Sequence, residues 1–230
     1  MLTIKNLSKQ FGDNVLYQNV NLNFEQGKII AVIGKNGAGK TTFFNSITKI
    51  DSNYKGELLY KGKAYQKINE LGYIPAELYF YPKITGIEYL NYFLFSRGLK
   101  NEDKIEHWNK LFQLPLRDYV DAYSTGMKKK LAIMAVLIQN NDIFILDEPY
   151  NGLDIESCLL LDKIILKLKA NNKLVIISSH ILSSLYEISD QILLIQNKEI
   201  KTFNNKEEFK QLNDLLIDKD IELAIDGMME

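Results

Sequence analysis

The amino-acid sequence predicts an α/β fold built around a mostly parallel sheet. One observation is the apolar run Ile29–Ile33, which leads directly into a glycine-rich stretch and then into apolar residues at helical spacing. A second is that the apolar runs Ile143–Leu146 and Leu174–Ser178 each end in polar or charged residues. Strands that are apolar throughout are typical of a parallel sheet covered on both faces, and ligands gather at the carboxyl ends of such strands. These runs therefore predict both the sheet and the edge where a site lies.

The N-terminal residues are predicted to form a separate, antiparallel layer. Residues 2–5 and 20–24 alternate between apolar and polar side chains, and residues 15–17 follow a turn at 11–14. Strands so close together in the chain favour antiparallel pairing, because a parallel crossover needs a dozen or more residues. We expect this layer to lie against the parallel sheet.

The glycine-rich stretch reads GKNGAGKTT and fits G-x-x-x-x-G-K-[ST], the pattern of a loop that binds nucleotide phosphates. Its glycines allow backbone dihedrals closed to other residues, and the following helix adds unpaired N–H groups and the positive end of its dipole. Lys40 is expected at the β- and γ-phosphates of the nucleotide, and Thr41 offers a hydroxyl to Mg²⁺. The predicted phosphate-binding loop comprises Gly34, Lys35, Asn36, Gly37, Ala38, Gly39, Lys40, Thr41 and Thr42.

A helical lobe is predicted in the middle of the chain. Two strands, at residues 56–60 and 71–75, precede a region rich in aromatic side chains on two helical patterns, at about 85–98 and 101–114. Most of these aromatic residues are expected in the core of the lobe. Residues 79–81 could instead form an exposed docking patch.

A second anion-binding helix start is predicted at residues 123–127. Ser124 fits a helix cap, and Gly126 would free the backbone there. We interpret the lysines at 128–130 as a solvated helix face.

The remaining candidate site residues follow the two later apolar strands. Asp147 and Glu148 end one strand, and such paired acids can serve as a metal ligand and as a group that activates water. Residues 151–154 then turn the chain, and His180 stands just beyond the next strand, where a site residue is expected. Residues 190–203 are predicted to form a terminal strand pair.

Composition excludes several classes of protein. The chain has 230 residues, 46% hydrophobic and 25% charged, as in an ordinary globular protein. A net charge of −1 gives no electrostatic reason to expect a nucleic-acid partner. The single cysteine, Cys158, excludes an internal disulfide and fits the reducing cytosol. No signal segment or membrane-crossing apolar window is recognisable, so we expect any membrane-spanning part to come from another chain.

Five features follow one another in the order found in the ATP-binding subunits of ABC transporters: the phosphate loop, the element at 124–128, the acidic strand end, the turn at 151–154 and His180. The resemblance covers residues 1–215 and implies a single ABC ATPase domain. Its expected fold is a P-loop NTPase core with a RecA-like, mostly parallel sheet, an antiparallel β subdomain and a small helical subdomain at about 76–138. Residues 216–230 would form an acidic C-terminal tail.

The resemblance also implies roles for individual residues. Residues 34–42 resemble the Walker A loop, and Asp147 resembles the Walker B aspartate that binds Mg²⁺ together with Thr41. Glu148 is similar in position to the general base that polarises the attacking water. His180 resembles the histidine that contacts the γ-phosphate.

Two further features of the family concern adenine and the dimer. Phe11 lies where the family has an aromatic side chain that stacks on adenine. A loop that crosses the dimer interface is implied for Asn151, Gly152, Leu153 and Asp154.

The sequence departs from the family pattern at its signature. Where the family has Leu-Ser-Gly-Gly-Gln, residues 123–127 read Tyr-Ser-Thr-Gly-Met. Ser124 and Gly126, which in the family reach ATP bound to the opposite subunit, are kept, whereas Thr125 and Met127 differ. This form resembles exporters of drugs, bacteriocins and lipids.

A second departure lies after the strand at 71–75. Ala76 occupies the position of a glutamine that in the family senses Mg²⁺ and the lytic water. Either Glu77 replaces it by a one-residue shift or the contact is absent.

The sequence therefore predicts an ATP-hydrolysing subunit that dimerises on MgATP, either with a second copy or with a homologous ATP-binding subunit. It would drive a separate transmembrane permease, docked at residues 76–95, from the cytoplasmic face of the membrane, and export is favoured. The alternatives are a soluble ABC-type ATPase, a small-molecule kinase and a regulatory ATP-binding subunit with little hydrolysis.

Overall fold

The computed structural model describes residues 1–99, 102–179, 182–210 and 212. The predicted acidic tail at 216–230 lies outside them. Within them the strands are β1 (Leu2–Phe11), β2 (Asn14–Phe24), β3 (Ile29–Ile33), β4 (Lys55–Tyr60), β5 (Lys63–Ala64), β6 (Leu71–Ile74), β7 (Ile143–Leu146), β8 (Leu174–Ser178), β9 (Gln191–Gln196) and β10 (Glu199–Phe203). The helices are α1 (Lys40–Thr48), α2 (Gly86–Ser96), α3 (Glu102–Phe112), α4 (Thr125–Leu137), α5 (Ile155–Ala170), α6 (Leu182–Ile188) and α7 (Lys206–Lys210).

The larger sheet has six strands in the order β10-β9-β3-β8-β7-β6. Neighbouring strands from β9 to β6 run parallel, and only β10 pairs antiparallel, at one edge. The predicted mostly parallel sheet is confirmed. Every residue of β3, β7 and β8 is buried, which explains why these strands read as continuous apolar runs.

Strand β3 shows why both faces of the sheet must be apolar. Ile29, Ala31 and Ile33 belong to a core shared with helices α4 and α5. Ile30 and Val32 belong to a second core shared with α1 and the N-terminal sheet. Because side chains alternate along a strand, one apolar strand serves two cores.

The N-terminal sheet is antiparallel, with the order β2-β1-β4-β5. This confirms the predicted layer. Two predicted strands, at 15–17 and 20–24, are a single strand, β2, whose pairing with β1 contains irregularities. These irregularities interrupt the alternation along β2, so the sequence reads as two shorter strands.

The helical lobe consists of α2 and α3, within a few residues of the predicted bounds. Thr85 and Glu88 form a reciprocal capping box at the start of α2. The first helix, α1, ends earlier than its apolar spacing indicates, since Lys49 adopts a left-handed backbone and Ile50 is exposed. None of the described helices is long and apolar enough to cross a membrane.

Arg97, at the end of α2, connects this lobe to the larger sheet. Its guanidinium donates to the carbonyl oxygen of Leu71 at 2.7 Å, to Gln139 Oε1 at 3.0 Å and to Asn141 Oδ1 at 3.3 Å. Gln139 and Asn141 are themselves buried. The contacts therefore depend on the fork of a guanidinium, which an ammonium group does not reproduce.

The two arginines of the chain allow a matched test of this connection. We expect Arg97→Lys to lower the free energy of unfolding by about 1–3 kcal/mol, because buried acceptors lose their donors. Arg117 is exposed, so Arg117→Lys should change it by less than about 0.5 kcal/mol. Urea unfolding of both variants measures the difference, and equal stabilities would contradict the role of Arg97.

Candidate functional site

The glycine-rich loop connects the carboxyl end of β3 to the first turn of α1. Gly39 is the cap residue of α1 and has φ 103°, a left-handed conformation that a glycine adopts without strain. No side chain caps the helix start. The first N–H groups of α1 therefore remain available to an anionic ligand.

A chain of hydrogen bonds joins the start of α1 to the ends of the neighbouring strands β7 and β8. Thr41 Oγ1, at the start of α1, donates to Asp147 Oδ2 at 2.6 Å. Ser178 Oγ, at the end of β8, donates to Asp147 Oδ1 at 2.6 Å and accepts from the backbone N–H of Glu148 at 2.9 Å. Asp147 and Ser178 have no solvent-exposed surface. Both oxygens of the Asp147 carboxylate are thus fixed in direction.

The backbone of Glu148 is unusual. Its φ is 48°, in the left-handed region that costs a residue with a side chain about 1 kcal/mol or more. The bond from its N–H to Ser178 holds this conformation. Among the residues of the acid pair, only Glu148, two residues after the end of β7, has a positive φ.

These residues border a cleft of about 430 Å³. Its walls come from the first hairpin, the glycine-rich loop, the start of α1 and the end of β7. The lining residues are Phe11, Asn14, Leu16, Asn36, Gly37, Gly39, Lys40, Thr41, Thr42, Asp147 and Glu148. The structure therefore brings together the predicted aromatic residue, most of the predicted loop and the two predicted acids.

The other predicted residues of the loop form its body rather than the wall of the cleft. Gly34 accepts a hydrogen bond from Lys40 Nζ at 2.8 Å, and Lys35 accepts one from the backbone N–H of Ala38 at 3.1 Å. The Lys40 ammonium is therefore held against the loop backbone. Phe11, at the end of β1, is about half exposed on the cleft.

Ser124 caps α4, as predicted, by accepting the backbone N–H of Met127 at 3.2 Å. The expected reason for Gly126 is wrong, because Gly126 lies inside the helix and not at a positive φ. A Cβ there would approach the carbonyl oxygen of Gly152 to 2.7 Å. A Cβ on Gly152 would likewise approach Thr125 Cγ2 to 2.8 Å. Both glycines are therefore required by the close approach of the two segments.

The turn at 151–154 leads from the acidic strand end into α5. Asp154 caps α5 by accepting the backbone N–H of Ser157 at 2.8 Å, and Lys130 Nζ lies 3.7 Å from its carboxylate. Asn151 and Gly152 are exposed, and Leu153 is half-buried. Among the residues lining the cleft, none comes from 124–127 or 151–154. His180 lies outside the described residues, and its predicted position is therefore not given by the structure.

Lys129 is a site residue that the sequence prediction missed. The lysines at 128–130 were expected to face solvent, but Lys129 is 3% exposed and donates to the carbonyl oxygen of Ala76 at 3.3 Å. Burial lowers the pKa of Lys129, and the nearby carboxylates of Asp147 and Glu148 oppose this shift. The buried ammonium group of Lys129 thus lies close to the carboxylates of Asp147 and Glu148. Its position on the buried side of α4 was the signal that could have identified it.

Ala76 stands where the family has a glutamine, and Glu77 is the neighbouring residue that could replace it. The two differ in exposure. Ala76 is half-buried beside Lys129, whereas Glu77 is exposed. Neither side chain lines the cleft described above. The backbone of Ala76 is connected to the acid pair through Lys129, which donates to its carbonyl oxygen and lies near both carboxylates.

A phosphate-binding loop, an acid pair at the adjoining strand ends and a sheet covered on both faces define a nucleotide-binding protein of the P-loop class. A family model described as "ABC transporter" matches residues 17–151. The chain belongs to the ABC transporter family, as an ATP-binding subunit with ATPase activity. The small-molecule kinase alternative is therefore wrong.

Several curated proteins resemble the chain over most of its length. The lantibiotic transport ATP-binding protein SrtF of Streptococcus pyogenes is 32% identical over 228 residues, covering 95% of this chain and 99% of SrtF. The bacitracin transport ATP-binding protein BcrA of Enterococcus faecalis is 32% identical over 200 residues, covering 84% of this chain and 65% of BcrA.

Solved structures confirm the fold. An ATP-binding subunit of an ABC transporter superimposes with a TM-score of 0.83 at 24% identity, covering 98% of each chain. The ATP-binding cassette MJ0796, solved as a dimer in a post-hydrolysis state with ADP and Pi, gives a TM-score of 0.78 at 21% identity, covering 89% of this chain and 98% of that one.

Ser178 offers a test of the hydrogen-bonded strand ends. We expect Ser178→Ala to lower the free energy of unfolding by about 1–3 kcal/mol, because a buried carboxylate oxygen and a strained backbone N–H lose their partner. Ser96 is exposed and donates only within its own helix, so Ser96→Ala should change it by less than about 0.5 kcal/mol. Thermal unfolding compares the two, and an unchanged Ser178→Ala variant would contradict this network.

Proposed function

We propose that the chain binds MgATP between its own cleft and the 124–127 segment of a second ATP-binding subunit, and that this dimerisation drives a separate transmembrane permease. The observation that carries the proposal is the hydrogen bond between Thr41 and Asp147 at the foot of the cleft. It joins the phosphate loop to the acid pair at the edge of the sheet where ligands gather.

The oxygen atoms at this point fit a magnesium ion. Thr41 Oγ1 and Asp147 Oδ2 are 2.6 Å apart, and hydroxyl and carboxylate oxygens are the donors that Mg²⁺ prefers. We assign Thr41 and Asp147 to the metal. When bound there, Mg²⁺ would neutralise charge on the β- and γ-phosphates.

The chain's own residues would supply positioning and charge. Lys40 and the N–H groups at the start of α1 bind the phosphates, and residues 34–39 with Thr42 surround them. Glu148, held by its strained backbone beside Asp147, orients the attacking water and accepts its proton. Phe11 stacks on the adenine at the outer end of the cleft, and His180 is assigned to the γ-phosphate by resemblance alone.

A second subunit is needed because one chain supplies only part of the enclosure. Ser124, Thr125, Gly126 and Met127 are not among the residues lining the cleft of their own chain. Their segment nevertheless lies at the N-terminus of α4, where the positive end of the helix dipole suits a phosphate presented by another molecule. Residues 151–154, packed against them, would then lie in the same interface. The dimeric state reported for MJ0796 supports this arrangement.

The permease would dock at residues 76–95, which comprise most of α2 and the segment before it. Tyr79, Tyr81, Tyr92 and Phe95 are each more than 60% exposed. Exposed aromatic residues of this kind mark protein interfaces. We place the chain at the cytoplasmic face of the membrane as a peripheral subunit. The names of SrtF and BcrA support a role in transport, and the form of residues 123–127 favours export.

Glu148→Gln tests the catalytic assignment. We expect ATP turnover to fall about 100-fold or more, because the carboxylate that accepts the proton is lost, while ATP affinity and ATP-dependent dimerisation persist. Glu156, exposed in the first turn of α5, provides the matched control Glu156→Gln, which should keep full activity. Phosphate release and size-exclusion chromatography measure the two properties, and normal turnover in Glu148→Gln would refute the assignment.

The presence of Ala76 in place of the family's glutamine favours one alternative, a regulatory subunit with little hydrolysis. ATPase activity of the chain, measured with and without the membrane protein that co-purifies with it, separates the two functions. A catalytic subunit hydrolyses ATP in the complex at rates that Glu148→Gln abolishes. A regulatory subunit shows binding without such a difference.

A further inference from the structure

Lys9 is a buried cation that the catalytic roles above leave unexplained. It lies on β1 two residues before Phe11, and its side chain has no solvent-exposed surface. Burying an ammonium group is costly unless hydrogen bonds and opposite charge compensate. Its retention in the N-terminal sheet therefore requires specific partners.

Those partners belong to the segment that follows α1. Lys9 Nζ lies 2.6 Å from Asp51 Oδ2 and donates to the carbonyl oxygen of Asn53 at 2.5 Å. The hydrogen bond from Lys9 is the main reason why the pKa of Asp51 is lowered. Asp51 in turn is bonded through its backbone N–H to the carbonyl oxygen of Asn45 in α1. Lys9 thus links β1 to the helix that carries the phosphate loop.

The third contact of Lys9 is with Phe11. Lys9 Nζ lies 4.5 Å from the centroid of the Phe11 ring, within the range of a cation–π interaction. Phe11 lines the nucleotide cleft, whereas Lys9 does not and instead borders a groove beside Tyr17 and Tyr54. The side chain of Phe11 therefore contacts the Lys9 ammonium and also lines the cleft.

We propose that Lys9 is a positioning residue for adenine binding: it holds the Phe11 ring at the mouth of the cleft and polarises it, so that the ring stacks more strongly on a purine base. The proposal rests on the proposed function, since it requires ATP in this cleft with its base on Phe11. A half-exposed aromatic side chain at a strand end otherwise samples several rotamers, and a fixed ring loses less entropy on binding. Lys9 acts on the base and not on the phosphates.

Two ligands separate these effects, namely ATP and inorganic triphosphate, each bound with Mg²⁺ to the purified full-length chain. We expect Lys9→Met to weaken ATP binding roughly three- to tenfold and to leave triphosphate binding unchanged, because only ATP has a base to stack. Lys9→Arg, which keeps a cation that can lie over the ring, should restore ATP affinity to within about twofold. Lys5→Met, at an exposed position of the same strand, is the matched control and should affect neither ligand. Isothermal titration calorimetry gives all the affinities.

Phe11→Ala distinguishes failure of this proposal from failure of the proposed function. If Phe11→Ala leaves ATP affinity unchanged, the base does not stack on Phe11, and both the stacking assignment and the role of Lys9 are wrong. If Phe11→Ala weakens ATP binding and Lys9→Met does not, only the role of Lys9 is overturned. An equal loss for ATP and triphosphate in Lys9→Met also overturns it.

A second variant covers the case in which Lys9→Met does not fold. The Asp51 side chain is 27% exposed, so Asp51→Ala removes the anchor of the Lys9 ammonium at a partly solvated position. We expect the same selective weakening of ATP. A loss shared by both ligands, or no loss, would contradict the proposal.

Discussion

The site depends on the hydrogen-bond network centred on the Asp147 carboxylate. One oxygen accepts from Thr41 and the other from Ser178, so residues from the ends of β7 and β8 and the start of α1 are held together at one point. A buried carboxylate has few alternatives in this position, because leaving either oxygen without a donor costs more than the bond itself contributes. The strand order β3-β8-β7 is what makes these bonds possible. The fold and the site are therefore specified by the same contacts.

Two lysine side chains, Lys40 and Lys129, lie near this hydrogen-bond network. Lys40, the first residue of α1, lines the cleft together with the two acids, and Lys129 lies close to both acids on α4. Both ammonium groups donate to backbone carbonyl oxygens of loops that leave the sheet. These hydrogen bonds tie the position of each ammonium group to the backbone of a loop. A displacement of either loop would therefore alter the electrostatic environment of the acids. Lys9, outside the cleft, likewise donates to a backbone carbonyl oxygen, that of Asn53.

Much of the fold could be predicted because its determinants are local. The continuous apolar runs of β3, β7 and β8 identify strands buried on both faces, and the glycine-rich pattern identifies the turn into α1. The purpose of Gly126 could not be predicted, since the Gly152 carbonyl opposite it is brought there by tertiary packing. The burial of Lys129 was missed for a similar reason, because a run of three lysines suggests solvent unless the inward face of the helix is known. Lys9 had a weak signal, since it follows the buried Leu7 by two residues on the same strand.

The contact between Gly126 and Gly152 has a consequence for communication between two bound nucleotides. Gly152 lies four residues after Glu148, and Gly126 lies on the helix start proposed to bind the nucleotide of the other subunit. The Gly126 backbone packs directly on the Gly152 carbonyl, with the Thr125 methyl group beside them, so a displacement of one segment is passed to the other. Occupancy of one nucleotide site should then alter affinity at the other by a coupling free energy that, as linkage requires, is the same in both directions. In the proposed dimer, such coupling would need only the close packing of the two segments at Gly126 and Gly152.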